Sequence, residues 1–183
     1  MKRIALACAV VAATLASAET AALGAGTRHP AEPARARLEG NYILKGRVTV
    51  ATDVRGEHVG EHVTRRWKFT PMCPAGRCLE VGLTRGRRRA ANELVLRRVA
   101  PGLYRGSGVF YRPLRCGRSL HKRGERAPFT ITVRITAAVD FAGVIVATKI
   151  HATYVNRKRI NLTRCVRPPA RDSAVYNGRV IPA

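Results

Sequence analysis

Beyond its first few dozen residues the chain alternates between apolar and polar positions. Tyr42, Leu44, Gly46, Val48 and Val50 fall on one side of an extended segment, and Lys45, Arg47 and Thr49 on the other. Val63, Trp67 and Phe69 lie opposite His62, Thr64, Arg66 and Lys68. Leu79, Val81 and Leu83 keep the same period, as do Leu94 and Leu96. The clearest case is Phe129, Ile131, Val133 and Ile135, set against Thr130, Thr132, Arg134 and Thr136. A period of two marks a strand with one buried face. Further strands are expected over 103–111, 144–155 and 160–165, and no stretch past the N-terminal segment carries a helical stripe. About eight strands joined by short turns leave no room for crossover helices, so neighbours must run antiparallel. The expected fold class is therefore all-β, an antiparallel barrel of about eight strands or a β-sandwich. It would span residues 38–166, with 167–183, which contains Pro168-Pro169, as an irregular tail.

The N-terminus reads differently. Lys2 and Arg3 precede an unbroken apolar run from Ile4 to Ala13, and Ala16-Ser17-Ala18 offers the small residues of a cleavage site. Residues 1–18 are expected to be an export signal, and 19–37, rich in Ala, Gly, Pro and Arg, a flexible leader. Cys8 lies inside the apolar run with Ala5 where a lipoprotein signal wants Leu, which argues against lipidation. No apolar run reaches the roughly 18 residues that a membrane-spanning helix needs. The expected destination is the cell envelope or the exterior.

Cleavage would leave Cys73, Cys78, Cys116 and Cys165. An even number in an exported chain points to disulfides. The rival is a four-cysteine zinc site, which usually has a second close pair that Cys116 and Cys165 do not form. Cys73 and Cys78 bracket Pro74-Ala75-Gly76-Arg77, a turn between two strands. At a hairpin neck opposed Cα atoms come within about 4.5–5.5 Å, so Cys73–Cys78 with Cys116–Cys165 is the favoured one of three pairings.

Charge changes the picture further. Lys and Arg number 34 against 11 Asp and Glu, a formal net charge of +23, and arginines outnumber lysines 28 to 6. Arg85, Arg87, Arg88 and Arg89 crowd one turn. Arg115, Arg118, Lys122, Arg123 and Arg126 occupy what reads as the longest loop, and Arg157, Lys158 and Arg159 a third turn. In an up-and-down meander these are the third, fifth and seventh connections, which fall at one end. They form a candidate anion-binding rim, although GC-rich coding alone can produce an arginine excess and a generic basic surface. A meander also sets a tension, because it puts Cys116 near the basic end and Cys165 near the opposite one. Either the chain folds back after Pro113, the strand order is not a pure meander, or the cysteines pair differently.

Other candidates point to structure. His58-Val59-Gly60-Glu61-His62 matches the H-x-x-E-H pattern of inverted zinc peptidases, which works on a helix. Gly60 interrupts it, and in a strand the imidazoles would stand about 13 Å apart, so two exposed turn histidines are expected. Ser107 in Gly106-Ser107-Gly108 lacks nucleophile-elbow spacing, and the glycines suit a bent strand. Glu80 and Glu93 form no acid–base pair. Asn161-Leu162-Thr163 fits a glycosylation sequon, and Trp67 fits a core position. With no phosphate loop or dinucleotide fingerprint, no enzyme, cofactor or metal is expected.

The opening Leu38-Glu39-Gly40-Asn41-Tyr42 resembles the G-x-W start of lipocalin-like barrels, with Tyr42 in place of Trp. Trp67-Lys68-Phe69-Thr70-Pro71, with Cys73 and Cys78, resembles small exported bacterial proteins of unassigned function. The resemblance to lipocalins implies a small apolar ligand inside the barrel. Two functions follow as expectations. One is an exported binding module whose basic loops meet anionic envelope polymers, lipid headgroups or nucleic acid. The other is a carrier of a small apolar ligand, which needs an internal cavity of about 300 Å³ or more.

Overall fold

A computed structural model describes residues 29–86 and 93–181. The expected export signal, residues 19–28 of the leader, Arg87, Arg88 and Arg89 lie outside the described residues. The strands are β1 (His29–Ala31), β2 (Gly40–Thr52), β3 (His62–Pro71), β4 (Glu80–Arg85), β5 (Glu93–Ala100), β6 (Leu103–Cys116), β7 (Ser119–Phe141), β8 (Val144–Asn156), β9 (Ile160–Asn161) and β10 (Arg171–Val180). From β2 to β8 each strand pairs antiparallel with its chain neighbour. β10 then pairs antiparallel with both β8 and β2. The result is a closed eight-stranded up-and-down barrel, and closure removes the exposed edges that an open sheet would present.

The period of two explains the inside. Tyr42, Leu44, Trp67, Phe69, Val81, Leu83, Leu96, Tyr104, Ile131, Val133 and Ile150 are all buried in one core. Polar partners such as Thr64, Arg66 and Lys68 face outward. A bilayer-spanning barrel has the reverse arrangement, apolar outside. Among the described residues no helix is long and apolar enough to cross a membrane. Glycines on the inner face make room for rings: a Cβ on Gly46 would collide with the carbonyl of Val175 and the ring of Tyr176. A Cβ on Gly108 would lie 2.6 Å from Phe129.

Four expectations need correction. The stretch Arg115–Arg126 is not a long loop: β6 and β7 continue to a tight turn at Gly117-Arg118, with Leu114 opposite His121 and Cys116 opposite Ser119. Residues 171–180 are not part of an irregular tail but form β10, the strand that closes the barrel. The strand expected over 160–165 shrinks to Ile160–Asn161, which pairs with Glu125 and Arg126 of β7. Finally, residues 29–37 are structured. β1 pairs with Ala138–Asp140 of β7, a 3₁₀ turn follows at Pro33–Arg35, and Ala36 and Leu38 are buried across the lower end of the barrel.

Both expected disulfides are present, Cys73–Cys78 and Cys116–Cys165, with Cα separations of 5.5 and 5.9 Å. The topological tension disappears because Cys165 is not at the far end of a strand. It sits in the 157–170 connection between β8 and β10, at the same end of the meander as the β6–β7 turn that holds Cys116. Asn161 shapes this connection: its Oδ1 accepts from the Thr163 amide (2.8 Å), and its Nδ2 donates to the Cys165 carbonyl (2.6 Å). At the other end Arg37 clamps the short disulfide loop, donating to the carbonyls of Cys73 (2.9 Å) and Gly76 (3.0 Å).

Candidate functional site

Meander order puts the β2–β3, β4–β5, β6–β7 and β8–β10 connections at one end of the barrel. The cations expected to form a rim there part into several environments. Arg85, the last residue of β4, keeps the inward parity of Val81 and Leu83 and turns into the barrel, its Cζ 4.2 Å from the Phe129 ring centroid. Arg159 is buried rather than a solvated turn residue: its Nε and Nη2 donate to Asp172 Oδ1 at 3.0 and 2.8 Å. Glu57 and Glu125 lie 3.7 and 3.9 Å from the same guanidinium. Arg115 lines a cleft of about 630 Å³ with Arg55 and Arg167, alongside Asp53 and Glu125. Arg118 and Lys122 are exposed on the hairpin, and Arg123 stacks on Tyr111 at 3.8 Å.

Arg126, Arg157 and Lys158 come together elsewhere, on the outer wall. With Arg105 they frame a groove of about 980 Å³ across β6, β7 and β8. Its base carries the hydroxyls of Ser107, Thr130, Thr132 and Thr153. No carboxylate among the described residues lines it. Strand register builds this pattern. Arg105 stands opposite Thr132, which in turn stands opposite Thr153, while Ser107 faces Thr130 with 3.1 Å between their hydroxyl oxygens. Val109, Pro128 and Val155 occupy the same outward face and give the groove an apolar stretch. Arg157 and Lys158 reach it because the chain leaves β8 at Asn156, whose Nδ2 donates to the Pro128 carbonyl at 2.6 Å.

Such a surface has clear chemical competence. Four cations without a competing carboxylate attract anions, and hydroxyls at strand spacing can donate to phosphate, sulfate or carboxylate oxygens. Arg105, Arg157 and Lys158 are exposed, so their field is screened by salt. Arg105 and the threonines were not among the residues picked out by charge runs. Arg105 is a single charge within a strand, and only cross-strand register reveals its neighbours.

The remaining sequence candidates resolve into structure. His58 is exposed in the β2–β3 connection, where its amide donates to Glu61 Oε2 at 3.2 Å, and His62 opens β3. Trp67 is buried against Phe69 and Tyr176, with ring centroids 6.2 and 5.6 Å away. Burial holds the hydroxyls of Tyr42, Tyr104, Tyr154 and Tyr176 above the ordinary phenol pKa; around Tyr104 nearby arginines oppose it, and around Tyr154 the carboxylate of Asp172 adds to it. No known protein family, curated protein or solved structure matches this chain.

Proposed function

We propose that the protein is an exported binding module that captures anionic polymers on the outer wall of its barrel without transforming them. The observation that carries this reading is the groove of Arg105, Arg126, Arg157 and Lys158, with its row of hydroxyls and no lining carboxylate among the described residues. Export is supported by two disulfides and by the charged, apolar, small-residue order of the first 18 residues. An elongated partner suits the site better than a compact one, because the cations are spread along three strands rather than converging on a point. A polyphosphate-like envelope polymer has the required chemistry. The apolar-carrier reading has less support. Tyr42, Phe69, Leu83 and their neighbours fill the lower interior, and the cavity above them bears charged side chains.

The test is retention of the protein on immobilised polyphosphate across a salt gradient. Release of counterions from about four phosphate contacts gives a log–log salt slope near −3 for a single-stranded polyanion. Changing Arg105, Arg126, Arg157 and Lys158 together to Ser should abolish most of that retention. A charge-matched control with Lys45, Arg47, Arg66 and Arg179 changed to Ser, on the strands β2, β3 and β10, should retain it. Equal loss in both variants would reduce the interaction to net charge and overturn the localised site.

A further inference from the structure

Arg37 lies against both sulfurs of the short disulfide. Its Nη1 donates toward Cys73 Sγ at 3.5 Å and Cys78 Sγ at 3.6 Å, as well as to the Gly76 carbonyl. Its backbone is fixed on β8, where its amide donates to the Ile145 carbonyl at 2.9 Å and its carbonyl accepts from the Ala147 amide at 3.0 Å. The side chain therefore crosses the lower end of the barrel from β8 to the β3–β4 turn. Glu39 accepts from its Nε at 2.7 Å, which leaves Nη1 and Nη2 for the turn. A clamp needs only the carbonyls of Cys73 and Gly76. Contact with the sulfurs does something more: a guanidinium stabilises a thiolate more than a neutral disulfide, so it favours the reduced pair.

The two sulfurs are not equivalent. Cys78 is buried, and its carbonyl accepts from Tyr104 Oη at 3.1 Å, whereas Cys73 is partly exposed. Thiol–disulfide exchange begins at the accessible sulfur, which makes Cys73 the point of attack and Cys78 the leaving sulfur beside Arg37. Met72 and Leu79 flank the pair in sequence and are 57 % and 66 % exposed. The neck of the turn holds them near each other, since the Met72 amide donates to the Glu80 carbonyl at 3.2 Å. Two large apolar side chains in water beside an accessible sulfur suit an extended polypeptide that carries apolar residues of its own. The Cys116–Cys165 bridge supplies an internal comparison. Both its cysteines are partly exposed, but the group 3.3 Å from Cys116 Sγ is the uncharged hydroxyl of Thr163.

We propose that Cys73–Cys78, with Arg37 against its sulfurs, is a thiol–disulfide exchange site that oxidises dithiols in extended, apolar polypeptide segments. A thiolate of the partner attacks Cys73 Sγ, the bond between Cys73 and Cys78 breaks, and its electron pair leaves on Cys78 Sγ against the guanidinium. The partner's second thiolate then attacks its own sulfur in the mixed disulfide and expels Cys73 as a thiolate. The partner's dithiol is oxidised to a disulfide, Cys73 and Cys78 are reduced, and the partner's two thiol protons pass to solvent or to the released sulfurs. Each protein molecule oxidises one dithiol. The site shares no residue with the outer groove and does not depend on anion capture there.

The experiment mixes the oxidised full chain with a reduced two-cysteine peptide flanked by Leu and Phe, and with a second flanked by Ser and Gly. Alkylation of the released thiols followed by mass mapping shows which bridge has opened. Cys73–Cys78 should open at least about tenfold faster than Cys116–Cys165, and about tenfold faster with the apolar peptide than with the polar one. Arg37→Met, checked for an unchanged β-sheet spectrum, should slow that opening by roughly tenfold or more. Cys78→Ser, offered the oxidised cyclic peptide, should trap it as a mixed disulfide on Cys73, whereas Cys73→Ser should trap none on Cys78. Opening of Cys116–Cys165 as fast as Cys73–Cys78, equal rates with the two peptides, or a folded Arg37→Met that reacts at the unaltered rate overturns the proposal. Should Arg37→Met fail to fold, the trapping pair decides: no peptide on Cys73, or as much on Cys78, overturns it.

Discussion

Arg159 and Arg105 are both arginines, one in the β8–β10 connection and one near the start of β6, and their surroundings give them opposite roles. Arg159 is locked against Asp172 with Glu57 and Glu125 close by, so removing it strands the buried Asp172 carboxylate. Arg159→Met should cost about 3–5 kcal/mol, read as a lower urea midpoint, whereas Arg157→Ser on the exposed side should leave the midpoint nearly unchanged. Equal midpoints for the two variants would contradict the ion cluster. Gly46 makes a similar argument by shape: a methyl there meets Val175 and the Tyr176 ring, so Gly46→Ala should destabilise by roughly 1–3 kcal/mol through overpacking. Tyr42, Tyr104 and Tyr176, which are buried, and Tyr154, which is partly buried, give a pH prediction. Their folded-state pKa values lie above the ordinary phenol value, so the folded form binds protons that the unfolded form releases. Stability should therefore be intact below about pH 10 and fall as pH rises past it. Phenolate absorbance from these groups should rise together with loss of β-sheet circular dichroism, and phenolate formation within an intact fold would contradict the burial.

At the scale of elements, the disulfides stitch two different spans. Cys73–Cys78 closes a turn already clamped by Arg37, while Cys116–Cys165 joins the β6–β7 hairpin to the connection entering the closing strand. Loop-closure entropy assigns about 2 kcal/mol to the first and about 4 kcal/mol to the second. Paired Cys→Ser variants should fall in that order in thermal midpoint; the reverse order would count against the role given to the long bridge. The strands legible in the sequence are those whose inward positions are bulky, such as Phe129, Ile131, Val133 and Ile135. β10 was hidden because its inward set is Asp172, Ala174, Tyr176, Gly178 and Val180, small or charged at three of five places. The preceding Pro168-Pro169 pointed to a tail but only ends the connection. The extended hairpin was hidden by its charge, since Arg112, Arg115, Arg118, Lys122, Arg123 and Arg126 break up any apolar period of two. Arg126, Arg157 and Lys158 were legible as cations, yet their grouping with Arg105 depends on the pairing of three strands, which no local pattern encodes.

For the whole molecule, closure and asymmetry belong together. One end is sealed by Ala36 and Leu38, with Tyr42 Oη donating to the Ala147 carbonyl at 2.6 Å and Tyr104 Oη to the Cys78 carbonyl at 3.1 Å. The other end collects the connections of residues 53–61 and 157–170. A sealed, cross-linked shell is a rigid support on which a cationic outer groove keeps its geometry. The central claim is that anion capture is localised on the β6–β8 wall. Its most direct test is backbone amide chemical-shift mapping with a short polyphosphate at moderate salt. The account predicts shifts concentrated at Arg105, Ser107, Thr130, Thr132, Thr153 and Arg157. Shifts spread evenly over all exposed arginines, or concentrated on the β2–β3 wall, would contradict it.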